Sequence, residues 1–193
     1  MRGCIEESES ALRVDPLGYS DPRSPAARSL IGRWGLYSEG FLRAGDRFVD
    51  GLTGSPVEDE LLYPILSLYR HHIEMELKGR IFDCLNHGLS GLTEEENVSV
   101  EEKLTNTHSL TSLWATLKKC HPKCDGECAP TTRGAFERLL TELHNADANS
   151  QASRYPVDRE GGQTLSRLAF VDPRVLKKGI HKMSKHGVIS NCA

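Results

Sequence analysis

The 193-residue sequence lacks the patterns that define several large classes of protein. No apolar run approaches the roughly 20 residues that a membrane-spanning helix needs, and the alternating apolar and polar residues of half-buried strands are almost absent. There is no glycine-rich phosphate loop, no Ser-His-Asp pattern and no His-Glu-x-x-His element. A membrane span and kinase, dinucleotide-dependent or hydrolase-elbow chemistry therefore have no support in the sequence.

The N-terminal residues also lack the apolar stretch of an export signal. Cys4 is followed closely by Glu6, Glu7 and Glu9, and Cys192 is followed by Ala193 alone, which does not match a prenylation box. We therefore expect a cytoplasmic protein without membrane association, with reduced thiols and no disulfide framework.

Apolar residues at helical spacing are what the chain does contain. They recur at every fourth residue from Leu61 to Leu85 and predict a long, largely buried helix that begins at Ser55-Pro56 and bends at Pro64. A connector at 86–105 holds a short helix near 98–104, and further helices are predicted at about 25–50, 107–119, 132–145 and 173–187. The prediction is an all-α bundle of about five helices in one domain, 25–187, between a flexible arm, 1–24, and a C-terminal tail, 188–193.

Glycines interrupt the first predicted helix at Gly32, Gly35, Gly40 and Gly45. Each weakens a helix by roughly 1 kcal/mol relative to alanine. They indicate either the close approach of a neighbouring helix or subunit, or simple tolerance of the weaker residues.

A dense polar insert interrupts the apolar surface of the long helix at residues 70–78. Within it Arg70, Glu74 and Lys78 are spaced four residues apart and share one helix face, where opposite charges can pair. Because an isolated buried charge is too costly, these side chains must either pair with one another or line a functional groove.

The same insert is one of three segments that carry a family resemblance. The pattern Tyr-Arg-His-x-x-Glu-x-x-Leu-Lys at 69–78 resembles the second helix of HEPN domains (higher eukaryotes and prokaryotes nucleotide-binding). His-Ser-Leu at 108–110 resembles the family's His-Asp-Leu helix, and Arg-Tyr-Pro-Val-Asp at 154–158 resembles its Arg-Tyr-Pro-Asp turn with one residue inserted. The resemblance covers roughly 25–187. It implies a helical bundle with up-down packing that binds or cuts RNA or nucleotides, in many relatives as a homodimer.

Arg174 and His181 form one candidate catalytic pair, because HEPN ribonucleases resemble one another in an Arg-x(4–6)-His motif. A histidine can move the 2′-hydroxyl proton and an arginine can stabilise the phosphate charge without a metal ion. Lys177 and Lys178 would contact RNA, and the segment from Leu165 onward carries six basic residues against one aspartate, a net charge of +5. The same Arg–His spacing occurs twice elsewhere, and a valine follows Arg174 where the nucleases usually have Asn, Asp or His, so an exposed basic face is the alternative.

The three resemblance motifs define a second candidate site. Its functional interpretation is a groove for a nucleotide or an RNA phosphate, with His71 or His108 as the proton-transfer group and Tyr155 as a stacking surface. The remaining binding candidates are Arg70, Glu74, Lys78, Arg154 and Asp158. The alternative is a polar network that fixes the register of the helices.

A cysteine-rich loop gives the only cofactor prediction. Cys120, His121, Cys124 and Cys128 lie within nine residues and are ligand types that structural zinc uses. Their spacing lacks the paired Cys-x-x-Cys elements of common zinc ribbons, so a redox-sensitive loop and an ordinary exposed loop are the alternatives.

Three functional hypotheses follow. The first is a HEPN-like protein directed at RNA, such as a metal-independent stress or phage-defence ribonuclease that acts as a dimer. The second is a non-catalytic HEPN-like module that binds a partner protein or a nucleotide. The third is a helical interaction domain stabilised by zinc. Whether the chain is an enzyme stays open at this point.

Overall fold

Six α-helices and one short 3-10 helix make up the described part of the chain. The computed structural model describes residues 34–86, 90–121, 130–158, 160–165 and 171–185. The helices are α1 (Trp34–Gly51), a 3-10 helix (Pro56–Leu61), α2 (Leu62–Asn86), α3 (Glu94–Leu104), α4 (Leu110–Cys120), α5 (Pro130–Ala146) and α6 (Pro173–Lys185). An isolated bridge between Val157 and Gln163 is the one β pairing among these residues. The all-α prediction is confirmed, and the predicted arm and tail lie outside the described residues.

Helix α2 is the central element of the bundle. It contacts α1, α3, α4, α6 and the 3-10 helix, while α4 and α6 also pack against α5. The predicted apolar stripe forms its buried face, where Ile65, Tyr69, Ile73, Leu77 and Ile81 are at most 1% exposed. None of the described helices is long and apolar enough to cross a membrane.

The start of α2 differs from the single long helix that the sequence predicted. Ser55 and Glu58 form a capping box at the start of the 3-10 helix, and the chain changes to α-helical geometry at Leu62. Pro64 therefore lies in the first turn of α2, where the N–H that proline lacks has no intrahelical partner. The apolar periodicity is the same in both forms, so it could not separate them.

The connector after α2 holds a longer helix than expected. Helix α3 begins at Glu94 because Thr93 and Glu96 form a reciprocal capping box: Glu96 N–H donates to Thr93 Oγ1 at 3.3 Å, and Thr93 N–H donates to Glu96 Oε2 at 2.9 Å. Three glutamates in the first turn add a favourable interaction with the helix dipole.

One glycine of α1 marks a close approach to α2. A Cβ on Gly45 would lie 2.9 Å from Cε1 of the buried Tyr69 ring, whereas nothing lies within 4 Å of a Cβ on Gly35 or Gly40. The close approach that the glycines suggested is therefore found at Gly45, and Gly32 lies outside the described residues.

Candidate functional site

A buried arginine lies at the centre of the region that the resemblance motifs bring together. Arg70 is 0% exposed, and its guanidinium donates to Oε2 of Glu74 at 2.8 Å and to the main-chain oxygens of His108 and Asp147, each at 2.7 Å. A longer contact of 3.4 Å reaches the oxygen of Ala148. The arginine thus joins α2 to the start of α4 and to the chain that follows α5.

Glu74 is the shared acceptor of this network. Besides Arg70, it accepts from Lys78 Nζ at 3.0 Å and lies 2.9 Å from Nδ1 of His108, both through Oε1. Burial alone would raise the pKa of Glu74, but the hydrogen bond and charge of Lys78, with the hydrogen bonds of His108 and Arg70, hold it below the ordinary value. Glu74 is therefore ionised at neutral pH, and Lys78 also donates to the oxygen of Thr105 at 3.3 Å.

Asp147 connects the network to the Arg-Tyr-Pro turn. Its carboxylate accepts hydrogen bonds from the main-chain N–H groups of Gln151, Ala152 and Ser153 at 2.7–3.2 Å and from the Ser153 hydroxyl at 2.7 Å. Burial would raise the pKa of Asp147, but these donors and the charge of Arg70 lower it. The aspartate thus fixes the first turn of the loop that follows α5.

The buried cations of this network are too little exposed to contact a ligand in this conformation. The side chains of Arg70 and Lys78 are 0% and 2% exposed, and their charges are balanced by Glu74 and Asp147. The imidazole of His108 is the exception, since it is 49% exposed while it contacts Glu74. We refer to Arg70, Glu74, Lys78, His108 and Asp147 as the Arg70 network.

Two other residues of the predicted groove, His71 and Arg154, reach Ser150 in the loop after α5, where Nε2 of His71 lies 3.4 Å from the Ser150 hydroxyl. Nδ1 of His71 lies 3.0 Å from the oxygen of Ser67, and its ring packs against Phe41 with centroids 5.2 Å apart. Arg154 donates through Nε to the Ser150 oxygen at 2.6 Å and is otherwise on the exposed surface. The predicted convergence is therefore found for α2 and the start of α4, and the Arg-Tyr-Pro turn is joined to them through Asp147.

The predicted Arg–His pair lies in a second cluster, between α6 and α1. Nε2 of His181 is 2.7 Å from Oδ2 of Asp46, and Lys177 Nζ is 2.6 Å from Oδ1 of Asp50 and 3.7 Å from Oδ1 of Asp46. The His181 side chain is 44% exposed. We refer to Asp46, Asp50, Arg174, Lys177 and His181 as the α1–α6 cluster.

The α1–α6 cluster borders an open pocket of about 440 Å³. Arg174 donates to the main-chain oxygen of Leu52 at 2.7 Å, which holds the N-terminal end of α6 against the C-terminal end of α1. Lys178 lines the same pocket and is exposed. All four residues predicted on α6 therefore lie on one surface.

A buried tyrosine holds Asp46 in place. The hydroxyl of Tyr69 donates to Oδ1 of Asp46 at 2.8 Å, which leaves Oδ2 facing His181. Burial, followed by the hydrogen bond and charge of Asp46, raises the pKa of Tyr69, so the phenol stays a donor at any physiological pH. In this arrangement the buried Tyr69 fixes the Asp46 carboxylate, and the carboxylate in turn orients the His181 ring.

Sequence reasoning missed the three aspartates that organise both clusters. Asp46 and Asp50 stand four residues apart on α1, a spacing that places them on one face, and Asp147 precedes a turn-forming Asn-Ser stretch. It also missed Ser38, whose hydroxyl lies 2.8 Å from Nδ1 of His72 and 2.9 Å from Oε2 of Glu76. Burial lowers the pKa of His72, and its buried Nε2 has no hydrogen-bond partner within the described part of the chain.

The cysteine loop is described only at its start. Cys120 is the last residue of α4 and is buried in the core beside Cys84, and burial raises the pKa of both thiols, that of Cys120 to about 11. His121 follows the helix as its C-terminal cap residue, while Cys124 and Cys128 lie outside the described residues. Within the described ranges, no group of three or more His, Cys, Asp or Glu residues is arranged to hold a metal ion.

Comparisons of the chain with protein-family models, with curated proteins and with solved structures find no match.

Proposed function

We propose that this protein binds RNA at the α1–α6 cluster and cleaves it without a metal ion. The observation that carries the proposal is the 2.7 Å contact between Asp46 and the half-exposed His181, beside the cationic side chains of Arg174 and Lys178. A carboxylate that holds one ring nitrogen sets the tautomer of a histidine and orients its other nitrogen for proton transfer.

The chemistry requires one proton acceptor and local positive charge. With the Nε2 proton donated to Asp46, Nδ1 of His181 is the nitrogen that takes the proton from an RNA 2′-hydroxyl. The 2′-oxygen then bonds to the adjacent phosphorus and the bond to the 5′-oxygen breaks. The products are a 2′,3′-cyclic phosphate and a 5′-hydroxyl, which takes its proton from water, while Arg174 and Lys178 stabilise the phosphate charge.

The HEPN resemblance supports the same assignment. In that family the Arg-x(4–6)-His pair belongs to a late helix and acts across a dimer, so the proposal includes a homodimer. It also includes a cytoplasmic location and a role in stress or phage defence. Asp46 and Asp50 reduce the positive charge of the surface, so we expect modest RNA affinity with a weak salt dependence.

The test is cleavage of a labelled RNA in EDTA by the full chain. We expect the His181→Ala variant to cut more slowly by a factor on the order of 10²–10⁴, and Asp46→Asn to cut more slowly because its amide nitrogen would favour the wrong tautomer. The amide oxygen of the Asp46→Asn variant can still accept from Tyr69, which protects the fold of that variant.

The matched control is His108→Ala, which also removes a half-exposed histidine paired to a carboxylate on another helix. Activity that survives in His108→Ala and is lost in His181→Ala supports the proposal. Loss in His108→Ala alone would move the chemistry to the Arg70 network, and cleavage that continues in His181→Ala would refute the role of the α1–α6 cluster.

A second candidate function rests on a different observation, the closure of the Arg70 network. Because its charges satisfy one another in the interior, the network supports a structural role for the resemblance motifs, as in a non-catalytic module that binds a partner protein. Folded protein that neither binds nor cuts RNA, but forms one specific crosslink to another protein in cells, would favour this alternative.

A further inference from the structure

The loop that follows α5 lines an open pocket, distinct from the one that the α1–α6 cluster borders. The pocket has a volume of about 420 Å³, within the range of small-molecule sites. Its lining includes Asn149, Gln151, Tyr155, Val157, Asp158 and Thr164. We refer to it as the Tyr155 pocket.

The apolar wall of the pocket is exposed to solvent. Tyr155 and Val157 are 57% and 50% exposed, although both are large apolar side chains. An exposed aromatic ring beside hydrogen-bonding groups is the arrangement with which proteins stack an unpaired nucleobase. Tyr63 is equally exposed but lies outside this pocket, so the argument rests on the position of Tyr155 beside hydrogen-bonding groups.

Hydrogen bonds to main-chain groups fix the residues on both sides of the pocket. Asp147 fixes residues 151–153, the hydroxyl of Thr164 donates to the oxygen of Tyr155, and Thr164 N–H donates to the oxygen of Pro156 at 3.1 Å. Asp158 N–H donates to the oxygen of Gly162 at 2.9 Å. A pocket with such fixed walls loses little entropy when a ligand binds.

The polar groups of the pocket indicate what kind of ring it would take. Asn149 and Gln151 carry amides that both donate and accept, while the Asp158 carboxylate only accepts. Asp158 Oδ1 accepts from the N–H groups of Glu160 and Gly162 at 3.0 and 2.7 Å, which orients the carboxylate within the turn. Acceptors of this kind match the exocyclic amino groups of adenine, guanine and cytosine. Uracil offers them only its ring N3–H, so we expect it to bind more weakly than the three amino-bearing bases.

We propose that the Tyr155 pocket binds one amino-bearing nucleobase by stacking on Tyr155 and hydrogen bonding to Asp158. The proposal deepens the RNA-directed function, on which it rests for the source of the base. It adds a base-recognition site to the backbone contacts proposed at the α1–α6 cluster.

The experiment is isothermal titration of the full chain with the four nucleosides adenosine, guanosine, cytidine and uridine. We expect at least one amino-bearing nucleoside to bind more tightly than uridine, and Tyr155→Ala to weaken that binding roughly 5- to 150-fold. Tyr155→Phe keeps the stacking ring and retains the binding. Asp158→Asn keeps an oxygen for the turn N–H groups but loses an acceptor, so it reduces the preference over uridine.

Tyr63→Ala is the matched control, because Tyr63 is also 57% exposed but lies in the first turn of α2, outside the pocket. The proposal is overturned if no nucleoside binds, or if Tyr155→Ala binds as wild type does while its circular dichroism shows a folded protein. Nucleoside binding without RNA cleavage would leave the pocket in place and refute the cleavage proposal. RNA cleavage that Tyr155→Ala leaves unchanged in rate and base preference would refute the pocket proposal and leave the cleavage proposal in place.

Discussion

Replacing Glu74 with glutamine is the most demanding test of the Arg70 network. After the change Arg70 keeps the main-chain oxygens of His108 and Asp147, and the Asp147 carboxylate remains 3.8 Å from its Nε. Lys78 keeps the oxygen of Thr105 at 3.3 Å but loses its carboxylate partner, although its side chain is 2% exposed. The loss therefore falls mainly on a buried ammonium group without a counter-ion.

Removing one partner of a buried ion pair costs about 3–5 kcal/mol. For a domain of 150–250 residues this lowers the melting temperature by roughly 6–20 °C, at about 2–4 °C per kcal/mol. The assay is urea unfolding of wild type and Glu74→Gln followed by circular dichroism, with the Lys78→Met and Glu74→Gln/Lys78→Met variants beside them. We expect the double variant to recover most of the loss, because it removes the unpaired charge along with its partner.

We also expect the free energy of unfolding to depend on pH, with a sign that the pKa shifts determine. The pKa values of Glu74 and Asp147 are lowered in the folded state, so the unfolded chain binds more protons in acid and stability falls as the pH falls. The contribution of Glu74 is complete above its ordinary pKa of 4.5 and is lost as the pH passes through the folded value. Glu74→Gln should therefore show a flatter loss of stability in acid. A cost below about 1 kcal/mol, or an unchanged acid slope, would refute this account of the network.

Two further predictions follow from the core. Gly45→Ala should destabilise the fold by about 1–3 kcal/mol, because its Cβ would lie 2.9 Å from the buried Tyr69 ring. Gly40→Ala, whose Cβ would have nothing within 4 Å, should stabilise the fold by up to about 1 kcal/mol. Thermal unfolding of both variants tests this, and equal melting temperatures would contradict the close approach. Cys84 and Cys120 should be the slowest cysteines to alkylate in the native protein at about pH 8, because burial keeps both thiols protonated; mass-spectrometric mapping checks this, and rapid native labelling of Cys120 would show that it faces solvent.

The features that the sequence could predict are those that local spacing encodes. Apolar residues at every fourth position predicted the buried face of α2, since burial follows helical periodicity. The i, i+4 spacing of Arg70, Glu74 and Lys78 likewise predicted that they could pair, and Glu74 contacts both cations. In each case the partners lie within one or two turns of the same helix.

The partners that sequence reasoning missed come from distant parts of the chain. Asp46 meets His181 across 135 positions, and Arg70 reaches Asp147 across 77. No periodicity links such residues, because their contact depends on how α1 and α6 pack against α2 and how α5 packs against α4 and α6. The predicted Arg–His spacing identified one half of the α1–α6 cluster, and only tertiary structure supplies the carboxylate.

The position of Arg70 has a consequence for the order in which the chain can fold during synthesis. Its main-chain acceptors lie 38, 77 and 78 residues further along the chain, so its desolvation is compensated in full only after those residues have left the ribosome. Until then α2 carries charges on the face that must be buried. Such long-range closure raises contact order and couples the helices into one cooperative unit. A nascent chain that stops before Asp147 should therefore remain a substrate for chaperones, because Arg70 then lacks its acceptors in the loop after α5.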